Sequence, residues 1–323
     1  MAFSRLDARL NTRSLNWEFH MEQSFTSDAL TPQLIFGGLS GEIMDYIISS
    51  YRVNLALIHL YYYKPQLQVH CQEAFNGSGK EDFVYTHKVE EPGIYHAKFI
   101  LLTTKDVLKL IVMTTNITES TVKNCLNDYY VIMLPKTKLA SPTVFTTYFY
   151  QFLDTYGIKL QNGLLQYDWR GIKGKLLVSI PGKLSHGMCF TSQVKAPKKN
   201  SKTKATIRCA SMMTGYDIRK LFHVKECILE YLRDNPHGTA FGLYDLEHNV
   251  DKDKKQRYTL VPFESSTPFH YKRYTVEYQG KEKTRRYLII TSANLTRQAW
   301  GTAKYAAYNA ELGIIWNSKF TFN

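Results

Sequence analysis

Two short patterns in this chain put the side chains of phosphate chemistry at matching intervals. The first is Gly93-Ile94-Tyr95-His96-Ala97-Lys98-Phe99, followed by Leu110-Ile111-Val112-Met113-Thr114-Thr115-Asn116. The second is Pro268-Phe269-His270-Tyr271-Lys272-Arg273-Tyr274, followed by Tyr287-Leu288-Ile289-Ile290-Thr291-Ser292-Ala293-Asn294. In each, His-x-Lys lies on an apolar strand and an asparagine closes the next, 20 residues after His96 and 24 after His270. Alternate side chains of a strand share a face, so His96 lies with Lys98, and His270 with Lys272. A lysine ammonium binds phosphate as a point charge, an asparagine amide adds a neutral donor, and Thr115 and Ser292 add hydroxyls.

Two such sets facing each other make a clamp for one phosphoryl group with an imidazole on either side. Phosphoryl transfer needs its attacking and leaving groups roughly in line, and opposed imidazoles meet that geometry. One attacks phosphorus and forms a phosphohistidine, while the other protonates the leaving oxygen. Histidine, with an unperturbed pKa of ~6.5, suits both tasks. Spacing alone does not say which histidine does which. The lysines and amides stabilise charge building on the phosphoryl oxygens. Glu311 heads the apolar run Leu312 to Trp316, where a carboxylate can accept from an imidazole N–H and fix its tautomer. There is no H-x-x-x-H or carboxylate cluster to hold a metal, and no cofactor is implied. His59, His70, His223 and His237 have no counterpart in the repeat and read as ordinary.

A duplication of this kind predicts two like domains, 1–170 and 171–323, each lending one histidine, one lysine and one asparagine to a shared site. Around the motifs, the spacing of Ile43, Tyr46, Ile47 and Tyr51 predicts a helix over 41–51. Leu34 to Gly38 reads as a short strand or turn, Asn54–Tyr63 as a buried strand, and Phe75 to Lys80 as a turn-rich loop. Strands are predicted at Ile94–Thr104, Leu108–Thr115, Asp128–Leu134, Lys175–Ile180 and Phe241–Leu246. Helices are predicted at Thr143–Tyr156, with Phe145, Tyr148, Phe149 and Phe152 on one face, and at Arg219–Arg233. Strands alternating with helices in both halves argue for an α/β architecture with helices packed on mixed sheets.

Composition bounds the partners. The 323 residues include 41 Lys+Arg against 28 Asp+Glu, a net charge of +13, which favours a polyanion such as nucleic acid or an anionic membrane surface. The Lys195–Arg208 stretch carries six basic residues and no acid, reading as a loop that is either solvated or set against a DNA backbone. Five scattered cysteines without a C-x-x-C form neither a disulfide framework nor a zinc pattern and fit a reducing compartment, cytosol or nucleus. No apolar run approaches the ~18 residues of a membrane span. Met1 to Trp17 lacks the continuous apolar core of a signal peptide; Arg5, Arg9 and Arg13 with Leu6 and Leu10 read as a basic surface helix.

The motif residues resemble the tyrosyl-DNA phosphodiesterase family, a branch of the phospholipase D superfamily. The resemblance is carried by Pro268-x-His270-x-Lys272-x-Tyr274, by Thr291-Ser-Ala-Asn294-Leu-Thr-x-x-Ala-Trp300-Gly301 and by Glu311-Leu-Gly, with His96-x-Lys98 and Thr115-Asn116 matching the first half. Phospholipase D motifs carry an aspartate seven residues after the histidine; Thr103 and Glu277 stand there, which favours this branch. The resemblance implies two α-β-α-β-α sandwich domains related by a pseudo-twofold axis. It also implies that His96 is the nucleophile and that His270 is the general acid, then the base. The substrate it implies is a DNA 3′ end, single-stranded or nicked, blocked by tyrosine or by a topoisomerase I-derived peptide. The setting would be a monomer in the nucleus, with cytoplasm or mitochondrion as alternatives. Other readings are a general nuclease, a lipid phosphodiesterase, or a silent nucleic-acid binder. The family carries a Gln-like residue in the first half opposite the second-half Glu, and here Asn127 or Asp128 falls near that position. Glu119, Ser120 and Thr121 stand where a tryptophan often follows the first asparagine.

Overall fold

The computed structural model describes residues 22–79, 81–123, 125–138, 141–182, 203–209, 224–232, 259–263, 270–279, 284–294, 296–301 and 307–317. Among these, the strands are β1 (Glu22–Asp28), β2 (Ile43–Asn54), β3 (Leu67–Phe75), β4 (Val84–Thr86), β5 (Phe99–Thr104), β6 (Val107–Met113) and β7 (Asn127–Pro135) in the first half. The second half supplies β8 (Gly174–Ser179), β9 (Lys204–Cys209), β10 (Glu226–Leu232), β11 (Thr259–Phe263), β12 (Lys272–Gln279), β13 (Thr284–Thr291) and β14 (Glu311–Asn317). Helical segments are α1 (Pro32–Phe36), α2 (Leu55–Leu57) running into a π-turn (Ile58–Tyr62), α3 (Glu119–Lys123), α4 (Val144–Thr155) and α5 (Arg297–Trp300).

The two seven-stranded sheets have one topology. The first runs β1-β7-β6-β5-β2-β3-β4, and the second, taken from its other edge, runs β8-β14-β13-β12-β9-β10-β11. Each strand of the first half thus has its equivalent seven places later in chain order. The pairings agree as well: β2–β3 and β9–β10 are parallel, while β5–β6 and β12–β13 are antiparallel. Even the register is shared. The residue after each motif lysine faces the residue four before each motif asparagine, Phe99 opposite Val112 and Arg273 opposite Ile290. The second hairpin continues to Gln279–Thr284, two ladder pairs further than its counterpart, which ends at Thr103–Leu108. Those two pairs account for the four extra residues between His270 and Asn294. Between the halves lie α4 and a 3₁₀ turn at Leu164–Gln166, and the second sheet begins at Gly174.

The sheets bury most of their width. Phe99, Leu101, Leu110, Val112, Tyr130 and Ile132 of the first sheet share one apolar cluster with Leu288, Ile290, Leu312 and Ile314 of the second. α4 joins that cluster through Phe145, Phe149, Phe152 and Leu153. Its start is fixed by a reciprocal capping box between Thr143 and Thr146, which satisfies free backbone donors. On the other face of the first sheet, α1, α2 and the π-turn cover Tyr46, Ile48, Val69, Ile100 and Ile111.

Several elements differ from the sequence reading. Residues 43–54 form β2 rather than a helix, because this strand sits between β5 and β3 with both faces covered, and Asp45 to Ser50 are all buried. Burial on both faces removes the alternation that marks a strand. Residues 55–62 are helical rather than a strand: Asn54 caps them through Oδ1 to the Ala56 amide. Leu60, Tyr61 and Tyr63 are exposed there. Leu34 to Phe36 lie in α1, whose Thr31 cap and Pro32 start favour a helix. In the Arg219–Arg233 stretch the described residues are 224–232, of which Glu226–Leu232 form strand β10 rather than a helix. Of the basic Lys195–Arg208 stretch, Lys204 and Arg208 belong to β9, a central strand, rather than to a loop. The predicted Phe241–Leu246 strand, residues 1–21 and residues 195–202 lie outside the described residues.

Candidate active site

The motif histidines sit where one half's central strand begins against the other half's outgoing strand. His96 precedes β5 in extended chain, and its amide donates to Ala310 O at 2.9 Å, just before β14. His270 precedes β12 in the same way, and its amide donates to Leu126 O at 2.8 Å, just before β7. Each half therefore hands its histidine to the strand that the other half contributes.

Glu311 is fully buried. It accepts from His96 Nδ1 at 3.0 Å, from Ser292 Oγ, and from Asn309 Nδ2 at 3.1 Å. With Nδ1–H held by a carboxylate, the lone pair of His96 is on Nε2. Burial lowers His96 to about 4; Glu311 works against that shift, while Lys98 and Lys272 reinforce it. Burial alone would raise Glu311, but the charge of His96, its hydrogen bond and Lys98 hold it below the usual carboxylate value.

His270 is supported differently. Its Nδ1 lies 2.8 Å from Thr114 O, so Nδ1–H donates to a backbone carbonyl and Nε2 carries the lone pair; Lys272 Nζ lies beside the ring, 3.2 Å from Nδ1 and 3.3 Å from Nε2. Lys272 Nζ also donates to Thr114 O at 3.3 Å. Burial, then Lys272, Lys98 and His96, hold His270 well below its ordinary value. Each set feels the charges of the other, which means that both face one centre. Lys98 is fully buried there; burial and Lys272 hold it well below the usual lysine value, and its Nζ donates to His96 O at 3.0 Å.

Asn116 and Asn294 lie at equivalent points, each three residues past the end of its strand, β6 or β13. Each has a buried Oδ1 without a hydrogen-bond partner. A buried polar atom left unpaired is costly; with its amide turned over, each asparagine would present its NH₂ donor there, the group that an anion needs. The site thus brings together two lysines, two neutral imidazoles and two asparagines, a donor set suited to an anion.

Some residues are placed differently from the pattern. Ser292 joins the site through Glu311 and also takes the Leu312 amide on Oγ at 3.0 Å. Its counterpart is Thr114, whose Oγ1 takes the Asp128 amide at 3.0 Å; Thr115 turns its hydroxyl to Asn116 O at 2.7 Å. Alignment of Thr114-Thr115-Asn116 with Ser292-Ala293-Asn294 carries that pairing in the sequence. Asn127 is the first-half equivalent of Glu311, since each follows the residue whose carbonyl holds a motif histidine amide. Thr103 donates to Asp45, and Glu277 pairs with Arg286 and, at 3.9 Å, Lys204, so both positions are held within their own sheets. Tyr51, read from the sequence only as one face of a helix, places its ring 5.2 Å from that of His96 and under Lys98 Nζ at 5.9 Å.

Two α/β halves of one topology, meeting at a pair of His-Lys-Asn sets, define a phosphodiesterase of phospholipase D type. The chain belongs to the tyrosyl-DNA phosphodiesterase family, hydrolases that act on DNA: the family's sequence profile matches residues 44–224 and 228–323. The fold is similar to the crystal structure of the yeast tyrosyl-DNA phosphodiesterase, with TM-score 0.70 and 12% identity over 92% of this chain and 90% of that one. A histidine-to-alanine mutant of the yeast protein matches with TM-score 0.70 and 14% identity, covering 94% of this chain and 91% of that one. A histidine-to-asparagine mutant gives TM-score 0.68 and 13% identity, over 92% and 91%. No curated protein matches the chain in a direct sequence search.

Proposed function

We propose that this chain hydrolyses the phosphodiester joining a tyrosine, or another adduct, to a DNA 3′ end, and that its biological substrates are topoisomerase I–DNA adducts. The observation that carries this reading is His96, whose Nδ1 is held by the buried Glu311, leaving Nε2 as its free nitrogen, while the charges of Lys98 and Lys272 act on the ring. In the first step Nε2 attacks phosphorus, an N–P bond forms, and the bond from phosphorus to the tyrosyl oxygen breaks. The leaving phenolate, poor at an unperturbed pKa near ~10, takes its proton from His270. In the second step water loses a proton to His270 and displaces His96, releasing a 3′-phosphate. His270 must carry a proton in the first step; burial, then Lys272 and Lys98, disfavour that proton, and the negative charge of a bound phosphate works against all three.

Because one chain supplies both sets, the proposed active unit is a monomer. The net charge of +13 supports a polyanionic substrate, single-stranded or nicked, and the scattered cysteines support a reducing setting, proposed as the nucleus. The test compares a 3′-phosphotyrosyl oligonucleotide with phosphatidylcholine, both in excess chelator. Release of tyrosine with a 3′-phosphate product supports the reading. Turnover of the lipid alone, or a strict need for added metal ion, contradicts it.

A further inference from the structure

Beside the Glu311/Asn127 difference, the pseudo-twofold symmetry breaks at a second point next to the site. Arg273 stands where Phe99 does, one residue after the motif lysine, and Asp128 stands where Leu312 does, second in its strand. Phe99 and Leu312 are both buried in the apolar cluster between the sheets. Arg273 and Asp128 instead form a forked ion pair from one half to the other, Nε to Oδ2 at 3.1 Å and Nη2 to Oδ1. The aspartate side chain is 0% exposed and the arginine 22%. The guanidinium also lies 4.8 Å from the Tyr271 ring centroid.

The same fold accepts an apolar contact at the equivalent place, and buried ion pairs are weak sources of stability compared with apolar packing. What this pair touches is more informative. The Asp128 backbone takes the Thr114 amide at 3.1 Å and gives its own amide to Thr114 Oγ1 at 3.0 Å. The Thr114 carbonyl is the group that receives His270 Nδ1 and Lys272 Nζ. His96 has a carboxylate on its Nδ1; His270 has this carbonyl, which belongs to the other half of the chain, with Lys272 Nζ 3.2 Å from the same nitrogen. Any slip between the β12 entry and the β6–β7 entry would move that carbonyl off the ring.

We propose that the Asp128–Arg273 pair is a positioning element for His270, fastening the start of β12 to the first half so that Thr114 O stays on Nδ1 and Nε2 faces the phosphate. This rests on the two-step reading above, in which His270 alone activates the water. The guanidinium fork fixes direction as well as distance, which a lysine does not.

The experiment is single-turnover kinetics on the full chain with two DNA 3′ esters, one of tyrosine and one of nitrophenol. The variants are Asp128→Asn, Arg273→Lys, and a double variant, Asp128→Leu with Arg273→Phe, that copies the other half. In all three, hydrolysis of the histidine adduct should slow by about 10²-fold, the scale of a 1 Å misplacement. Adduct formation from the nitrophenyl ester, which needs little proton donation, should stay near the wild-type rate. The double variant should keep wild-type thermal stability yet still resolve the adduct slowly. Wild-type resolution in the double variant would mean that packing alone matters and would overturn the proposal, as would equal slowing of both steps. A wild-type chain that turns over beside variants that resolve adduct normally overturns this inference alone; a wild type that forms no adduct overturns the two-step reading with it.

Discussion

Glu311 and His96 are 215 positions apart in the chain, and the Glu311 carboxylate accepts from Nδ1 of His96 at 3.0 Å. The nucleophile proposed for one half is therefore oriented by the other, and neither half alone holds a working histidine. Glu311→Gln keeps the shape but removes the charge that stabilises an imidazolium and sets the tautomer. Its kcat should fall by about 10²-fold or more, within the range attached to acid–base support, with KM little changed. A loss confined to KM would place Glu311 in substrate binding instead.

The pH dependence follows from the direction of the His96 shift. Burial lowers His96 to about 4 despite Glu311, so in the free enzyme Nε2 is unprotonated at neutral pH. On the acid side, activity is lost when the His96–Glu311 pair gains a proton. The acid limb of kcat/KM should therefore fall near pH 4, rather than near the ~6.5 of an unperturbed histidine. The sign for stability is the same. Between about 4 and 6.5 the unfolded chain binds a proton that the folded His96 refuses, so stability is present above that window and is lost as pH falls through it. An acid limb centred near pH 6.5 would show that the imidazole is not held neutral by burial.

Lys98→Ala and Lys272→Ala should each lower kcat by about 10²-fold or more, ~3 kcal/mol, the usual cost of one donor to transition-state charge. An effect on KM alone would mean that they hold only the ground-state substrate.

Gly93 carries the approach to His96. A Cβ there would lie 2.1 Å from Tyr308 O and 2.8 Å from Val89 Cγ1. The same segment exchanges hydrogen bonds with Ala310, from His96 N to Ala310 O and from Ala310 N to Ile94 O, each 2.9 Å. Gly93→Ala should cost about 1–3 kcal/mol of stability, as overpacking does, and should lower kcat because His96 moves with the segment. Thermal unfolding beside steady-state kinetics checks both.

Much of this site was legible in the sequence because it is written twice. A lone His-x-Lys says little, but a second copy with the same following asparagine fixes two strands, their pairing and their meeting point. Glu311 is legible as a carboxylate leading an apolar strand, which fits either an internal partner or a strand-edge charge facing water; the structure shows the partner, His96. Asn127 was not separable from Asp128, since the choice depends on which residue follows the carbonyl that holds His270, a relation between halves. Thr114 acts through its backbone carbonyl, which leaves no mark on residue type. β2 and the α2 segment were misread for a shared reason. β2 is buried on both faces with Asp45, Ser49 and Ser50 inside, and the α2 segment leaves Leu60 and Tyr61 exposed, so residue type does not follow burial in either and neighbouring elements decide. The Arg273–Asp128 pair shows in the sequence only as two ordinary charges 145 residues apart.

The central claim is a covalent intermediate on His96 resolved by His270. The direct test is a denaturing gel of His270→Ala and His96→Ala with labelled DNA carrying a 3′ nitrophenyl ester, followed by acid treatment and peptide mapping. The His270 variant should accumulate an adduct on His96, stable to alkali and labile to acid as a phosphoramidate is, and the His96 variant should form none. An adduct on His270 in the His96 variant, with none on His96 in the other, would reverse the roles. No adduct in either would contradict covalent catalysis and leave direct attack by water.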